Sequence, residues 1–295
     1  MPQTTILLDD ALAGLRQINA GAVQCCVTSP PYFRQRDYGV PGQIGLEDSP
    51  ERYVANLIEV FAEVRRTLAD DGTMWLNIAD TYASSPGKGL QRVIETSRPA
   101  NRGVKLKDML GIPWMLAFSL RADGWFLRSE IVWSKPNPMP ESVRDRPTRS
   151  HEKVFLMSKS AYYYYDAPAV SEPATRGSAG SHFGEGKIGA TQGGRCSKKP
   201  RVESDRRNLR DVWTVAPTPC REAHQAVMPT PLADTCIRAG SRPGDLILDP
   251  FLGAATTALA ANRAGREAVG CELNPEYAEI SIRRLAKEGY QADIF

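Results

Sequence analysis

Apolar and polar positions alternate along the chain in two periods. Thr4 to Leu8 reads as a strand and Ala11 to Ile18 as a short helix. Val23 to Thr28 is a β-rich run that stops at Pro30-Pro31. Ser49-Pro50-Glu51 then marks a helix start: a capping residue, a proline at the first helical position and an acid in the first turn. From there Val54, Leu57, Ile58, Phe61, Val64 and Leu68 recur along one helical face, which Gly72 is expected to end. Met74 to Ala79 predicts a buried strand. Met109 to Leu120 predicts a helix despite Pro113. Phe126 to Trp133 and Val154 to Met157 read as strands, with Tyr162 to Tyr165 expected to pair with or extend them. Beyond Trp213 the pattern gives a helix at Leu232 to Ala239 closed by Gly240, a strand at Leu246 to Leu248 and a helix at Ala255 to Ala264. A strand at Val269 to Cys271 and a last helix at Pro275 to Lys287 follow. Repeated strand–helix alternation predicts an α/β fold whose mostly parallel sheet is covered on both faces.

One stretch breaks the pattern. Arg176 to Arg210 is rich in Gly and Ser, has little apolar periodicity and carries nine Lys and Arg against three acids. Composition alone describes a solvated surface insertion. Loops this long are nevertheless uncommon in compact domains unless they are functional or disordered. The chain as a whole, 295 residues with a net charge of +3, is only mildly basic, so a nucleic-acid site would have to be local. No apolar run approaches the roughly 18 residues of a membrane span. The N-terminus sets two acids behind a short apolar stretch, unlike a secretory signal, so a cytoplasmic protein is expected. The six cysteines form no C-x-x-C pair, which argues against a zinc ribbon and a disulfide scaffold. His151-Glu152 lacks the second histidine of a zinc protease, and Cys220 lacks the partners of a zinc deaminase; no metal is expected.

Two short motifs carry chemistry. Asp249-Pro250-Phe251-Leu252-Gly253-Ala254-Ala255-Thr256-Thr257 follows a strand and opens a helix, where small residues let backbone N–H groups approach a ligand. Glu272 stands some 19 positions past Gly253, at the end of the next strand. An acid there can accept both hydroxyls of a ribose. A tight turn with a solvated acid would read similarly. The order strand, turn, helix, strand, acid favours nucleotide binding. The second motif is Thr28-Ser29-Pro30-Pro31-Tyr32, at a strand end. Two prolines stiffen the backbone and remove two donors. That leaves the Ser29 hydroxyl and the Pro30 carbonyl as acceptors for the two hydrogens of an NH2 group on a planar substrate, with Tyr32 to stack on its face. A rigid loop with a packed tyrosine is the plainer alternative.

Together these motifs resemble those of the DNA amino-methyltransferases that use S-adenosylmethionine. TSPPY is similar to their catalytic motif and DPFLGAATT to their cofactor motif, usually DPFxGxGTT, with Ala255 at the second glycine. The segment Ile131 to Asn137, Asp145 to Thr148, Ser150-His151-Glu152 and Tyr162 to Asp166 also look like the family. The catalytic motif precedes the cofactor motif, the order of the family's beta group. The resemblance covers nearly the whole chain outside the insertion. It implies one methyltransferase domain over residues 1–295 with a doubly wound, seven-stranded sheet: a catalytic half at 1–165, a target-recognition insertion at 166–212 and a cofactor half at 213–295. It implies Ser29, Pro30, Pro31 and Tyr32 as catalytic residues. Asp249, Pro250, Phe251, Gly253, Thr256 and Glu272 would hold S-adenosylmethionine, with Asp10 near its adenine; Asp9 replaces the family's usual glycine before that acid. The stretch His224 to Leu232 looks like the family's N-terminal cofactor flank, in which His224 would either touch the cofactor or serve a structural role. Lys198, Lys199 and Arg201 of the insertion would contact DNA. Asp80 would either touch the target ring or serve as a capping or solvated acid. The expected partners are double-stranded DNA, a restriction endonuclease counterpart and a second copy of the chain. Serine before Pro-Pro-Tyr accompanies cytosine more often than adenine in the family, so N4-methylcytosine is the expected product and N6-methyladenine the alternative. Methyl transfer to RNA or to protein amides, and an inactive DNA-binding module of the same fold, are the competing readings.

Overall fold

A computed structural model describes residues 2–83, 104–174, 205–220 and 225–295. The chain runs β1 (Gln3–Leu7), α1 (Ala11–Arg16), β2 (Val23–Thr28), α2 (Pro50–Thr67), β3 (Leu68–Ile78), α3 (Ile112–Ala122), β4 (Phe126–Ser134) and β5 (His151–Ser158). Four short strands follow: β6 (Glu172–Pro173), β7 (Arg206–Arg207), β8 (Val212–Thr214) and β9 (Thr218–Cys220). The C-terminal part holds β10 (Gln225–Val227), α4 (Thr230–Gly240), β11 (Leu246–Asp249), α5 (Thr256–Arg263), β12 (Glu267–Cys271), α6 (Pro275–Lys287) and β13 (Gln291–Ile294).

The main sheet has the order β13-β1-β12-β11-β2-β3-β5-β4-β8. Every pairing is parallel except those of β5, which runs against β3 and β4. Helices α1, α2 and α3 cover one face through Leu15, Leu57, Phe61, Leu116 and Leu120. Helices α4, α5 and α6 cover the other through Ile237, Leu259, Ala260 and Leu285. The α/β expectation holds, with nine strands in the main sheet among the described residues where seven were expected. The additional pairings lie at the edges: β13 beside β1, and the three-residue β8 beside β4.

The C-terminal strands β12 and β11 slot between β1 and β2. A segment late in sequence therefore lies against the first strands in space. The carboxyl ends of β2 and β11 become neighbours, where an open α/β sheet forms its ligand crevice.

Two local expectations are corrected, and one left open is narrowed. The first long helix does not run on to Gly72: Leu68 is already extended (φ −68°, ψ 141°) and begins β3, whose register against β2 shifts between Val23 and Cys25. Tyr162 to Tyr165 forms no strand. Its backbone is tied to the ends of other elements, Tyr164 N–H donating to Asp71 O (2.9 Å) and Asp166 N–H to Ala239 O (2.8 Å). The Tyr165 ring stacks on Trp75 and the Tyr164 ring lies under Arg242 instead of joining a ladder. Asp80 caps α3: its carboxylate accepts from the N–H groups of Gly111 (3.0 Å) and Ile112 (3.1 Å). Asp80 thus serves as a cap, one of the two roles expected of it.

Gly270 of β12 shows how tightly the sheet meets the turn after β11. A Cβ there would lie 2.7 Å from Leu252 Cδ1 and 3.0 Å from the Asp249 carbonyl. Gly270→Ala is expected to lower stability by about 1–3 kcal/mol through overpacking. The urea midpoint measures this; an unchanged midpoint would mean that Leu252 swings aside and the turn is not seated on Gly270.

Candidate functional site

The two motifs meet through a pair of buried side chains. Thr28, the last residue of β2, donates its hydroxyl to Asp249 Oδ1 at the end of β11 (2.6 Å). The same oxygen accepts the Phe251 N–H (3.1 Å) and so holds the turn that leads to α5. Thr257 Oγ1 donates back to the Val27 carbonyl (3.0 Å). A hydrogen bond to an ionised carboxylate is worth about 1.5–3 kcal/mol. These bonds make the ends of β2 and β11 one rigid wall.

That wall borders a cavity of about 740 Å³, within the usual range for a cofactor cleft. Ser29, Pro30, Pro31 and Tyr32 line it, and so do Asp249, Pro250, Phe251, Gly253, Thr256, Glu272 and Asp10. Two motifs far apart in sequence therefore share one cleft. Asp10 also caps α1, accepting from the N–H groups of Leu12 and Ala13 (both 2.9 Å). The Phe251 ring is backed edge-on by Phe61, with centroids 6.5 Å apart. Lys198, Lys199, Arg201 and His224 lie outside the described residues.

Glu272 closes the cleft from the end of β12. One carboxylate oxygen accepts the Gly253 N–H (2.7 Å) and the other the Asn274 N–H (2.8 Å). Each oxygen keeps acceptor capacity for a further donor. Burial pushes Glu272 up to about 7 and Asp249 up to about 6, in both cases because the charged carboxylate loses water. This donor set fits a nucleoside-type cofactor: a carboxylate for paired hydroxyls, an aromatic wall, and a turn of small residues. Ala255 sits in the left-handed region at φ 56°, which explains the preference for glycine there. Its methyl group is fully buried in the core beneath the sheet and does not line the cleft. The departure from glycine costs backbone strain and leaves the cleft open.

The catalytic-motif side contains a network that sequence reading missed. Ser29 Oγ donates to the Tyr32 hydroxyl (3.2 Å), and that hydroxyl donates to Glu152 Oε2 (2.6 Å). Glu152 also accepts from Asn77 Nδ2 (3.1 Å) and pairs with Lys135. Lys135 Nζ stands 4.3 Å from the centre of the Trp133 ring. Asn77, Trp133, Lys135, His151 and Glu152 all line the same cavity. Burial and the Glu152 charge raise the Tyr32 hydroxyl well above its ordinary range, so it remains a donor. One sequence signal pointed here: Asn77 is a polar residue inside an otherwise apolar, buried run of β3.

The ends of the basic insertion meet at a short ribbon. β6 and β7 pair antiparallel, and Glu172 accepts from both Arg207 Nε (2.7 Å) and Arg210 Nε (2.6 Å). From this stem β8 returns to the sheet beside β4. Among the described residues, no helix is long and apolar enough to cross a membrane.

Comparison with known proteins agrees with this geometry. The family profile described as DNA methylase (N6_N4_Mtase) matches residues 23–283. The type II methyltransferase M.Cfr9I of Citrobacter freundii is 44% identical over 293 residues, covering 96% of this chain and 88% of the relative. Two solved structures share the fold. A DNA modification methylase of Thermus thermophilus (TTHA0409), solved with S-adenosyl-L-methionine, superposes with a TM-score of 0.65 at 24% identity, covering 99% of this chain and 98% of the other. The cytosine-N4-specific PvuII DNA methyltransferase superposes with a TM-score of 0.66 at 18% identity, covering 99% and 97%.

Proposed function

The chain belongs to the DNA methylase family and is an S-adenosylmethionine-dependent DNA methyltransferase; from that premise we propose that it methylates the N4 amino group of a cytosine flipped out of double-stranded DNA. The observation that carries the reading is the shared cleft, in which the Ser29–Tyr32 motif faces the Asp249–Glu272 wall. Glu272 takes the ribose hydroxyls, Asp10 lies by the adenine, and the Asp249–Thr256 turn holds the methionine part. When bound, S-adenosylmethionine supplies an electrophilic methyl group.

The chain's own residues supply the rest. A base inside the duplex hides its amino group, so it must be extruded at a cost of a few kcal/mol. Stacking on Tyr32, worth about 1–3 kcal/mol, offsets part of that cost. The amino lone pair is delocalised into the base and is a weak nucleophile. Ser29 Oγ and the Pro30 carbonyl accept its two hydrogens, build negative charge on the nitrogen and align it with the methyl group. The Ser29 proton points at Tyr32, which leaves the oxygen's lone pairs for the substrate. The N–CH3 bond would form as the sulfonium S–CH3 bond breaks and leaves the neutral thioether S-adenosylhomocysteine; the methylated nitrogen is then cationic and acidic enough to pass its proton to water, so no strong base is needed.

Cytosine is favoured by the residue type at position 29. A charged aspartate polarises an amino group more strongly than a hydroxyl does, and in the family serine accompanies cytosine more often. Expression in a host free of DNA methylation, followed by base-modification sequencing, tests the assignment. N4-methylcytosine at one recurring site is expected; N6-methyladenine as the sole product would overturn the base assignment and leave the enzyme class intact.

The basic insertion serves as the DNA-contacting segment, with Lys198, Lys199 and Arg201 on phosphates. The flanking β6–β7 ribbon, which ties the start and end of the segment to the fold, supports this reading. Neutralising the three residues together is expected to weaken DNA binding and flatten its salt dependence by about 0.9 in log–log slope per lost contact. An unchanged slope in a salt titration would reduce the segment to a solvated loop. The type II relatives also support a paired restriction endonuclease, which a nuclease assay on unmethylated and methylated DNA from the source strain would reveal or exclude.

A further inference from the structure

Three adjacent strands each send one polar side chain to a single point beneath the catalytic motif: Asn77 from β3, Glu152 from β5, and Lys135 just past the end of β4. The geometry points to Glu152 as a positioning residue that fixes the Tyr32 ring for the incoming base, with Lys135 and Asn77 holding its carboxylate in place. The inference rests on the base-flipping reading above and assigns residues which that reading does not use.

The side chains of Glu152 and Lys135 are 12% and 20% exposed. Taking ions out of water is costly, and their mutual attraction need not offset that cost. A well-packed apolar pair would serve stability as well, so the location asks for another explanation. Every remaining contact of the carboxylate points to one. Oε1 receives the Lys135 ammonium, and Oε2 receives Asn77 Nδ2 (3.1 Å) and the Tyr32 hydroxyl (2.6 Å). Asn77 is itself fixed, donating also to the Lys153 carbonyl (3.2 Å). Lys135 is fixed from the other side, its backbone N–H donating to Ser150 O (2.8 Å) and its ammonium lying over Trp133. The carboxylate is therefore held on rigid strands, whereas Tyr32 stands past the end of β2. Packing on the core restrains the Tyr32 ring, and tying its tip restrains it further. The 2.6 Å bond ties the tip to the sheet, which fixes the axis of the ring, and because a phenolic O–H prefers the ring plane it also biases the plane on which a base would stack. It also orients the Tyr32 oxygen to receive the Ser29 proton, so the same tether sets the direction of the Ser29 lone pairs.

A double-mutant cycle of Tyr32→Phe and Glu152→Gln tests this. The reading is established first by measuring wild-type transfer to duplex DNA; given that rate, the cycle bears on positioning alone. Single-turnover transfer at saturating S-adenosylmethionine is expected to slow about tenfold or more in each single variant, the effect of losing one charge-assisted hydrogen bond. The double variant is expected to be no slower than the slower single, because Tyr32→Phe removes the hydroxyl through which Glu152 acts. Cofactor affinity by calorimetry should stay unchanged, since no hydrogen bond of the tether reaches Glu272 or Asp249. Lys135→Met releases the carboxylate from its other side and should show the same non-additivity with Tyr32→Phe, which keeps the cycle decisive if Glu152→Gln does not fold. Multiplicative losses in the double variant, or a fully active Tyr32→Phe, would overturn the assignment.

Discussion

Ser29→Ala is expected to reduce methyl transfer by about 10²–10³-fold, the usual cost of removing one preorganised hydrogen-bonding group from a site of developing charge. The same variant should bind S-adenosylmethionine as the wild type does. Ser29 bonds to Tyr32, and neither residue supports the Asp249–Glu272 wall by hydrogen bonding. Substitution therefore removes an acceptor from the amino group and leaves the cofactor side intact. Single-turnover kinetics with labelled cofactor, beside calorimetry, separates the two quantities. Normal turnover by the variant would sink the proposed role of the hydroxyl. Loss of cofactor affinity would show instead that the two motifs are mechanically coupled through the Thr28–Asp249 bond.

Glu272→Ala should do the opposite, weakening cofactor binding by about 10–100-fold through loss of charge-assisted hydrogen bonds. It also strips the Gly253 and Asn274 N–H groups of their acceptor, which loosens the turn. Acidity adds a second signature. Glu272 titrates at about 7 and Asp249 at about 6, both above their unfolded values. An acid raised in this way adds stability that is fully present below its unfolded pKa, about 4 to 4.5, and lost as pH rises through its folded value. Without cofactor the fold is thus expected to lose stability between about pH 4 and pH 7 from these two groups. Ribose hydroxyls donate to the ionised form, so cofactor affinity should fall as pH drops below about 7. Thermal unfolding with and without cofactor across this range checks both signs. Glu272→Gln should flatten the unfolding profile, and a profile as steep as wild type would place the titration elsewhere.

Periodicity carried most of the framework because the core elements are long and one-sided. β2 and α6 appear with the predicted ends, and the apolar face of α2 is the one that packs on the sheet. The missed pieces are those whose pairing is decided elsewhere. β8 has three residues and β13 is mostly exposed, so neither shows a half-buried alternation that sequence alone would flag; the neighbouring strand edge recruits them. The motif residues were legible since each motif is contiguous and its chemistry is local. The Tyr32 tether was not. Glu152 lies 120 positions from Tyr32 and Asn77 lies 45, and only strand register brings them together. Lys135 and Glu152 stand in segments that look like the family, but nothing in one dimension places the two together beside a cavity. Ala255 is the reverse case. Its departure from glycine was visible in sequence, while the direction of its methyl group into the core required the fold.

The central claim is that one cleft holds S-adenosylmethionine and an extruded DNA base together. The most direct test incubates the wild-type chain with methyl-labelled S-adenosylmethionine and, in parallel, duplex DNA, RNA and protein, then identifies labelled nucleosides by mass spectrometry. Label in duplex DNA, recovered as N4-methylcytosine and absent from RNA and protein, is the predicted result. Label confined to RNA or protein, or none in DNA although the cofactor binds, would contradict the account.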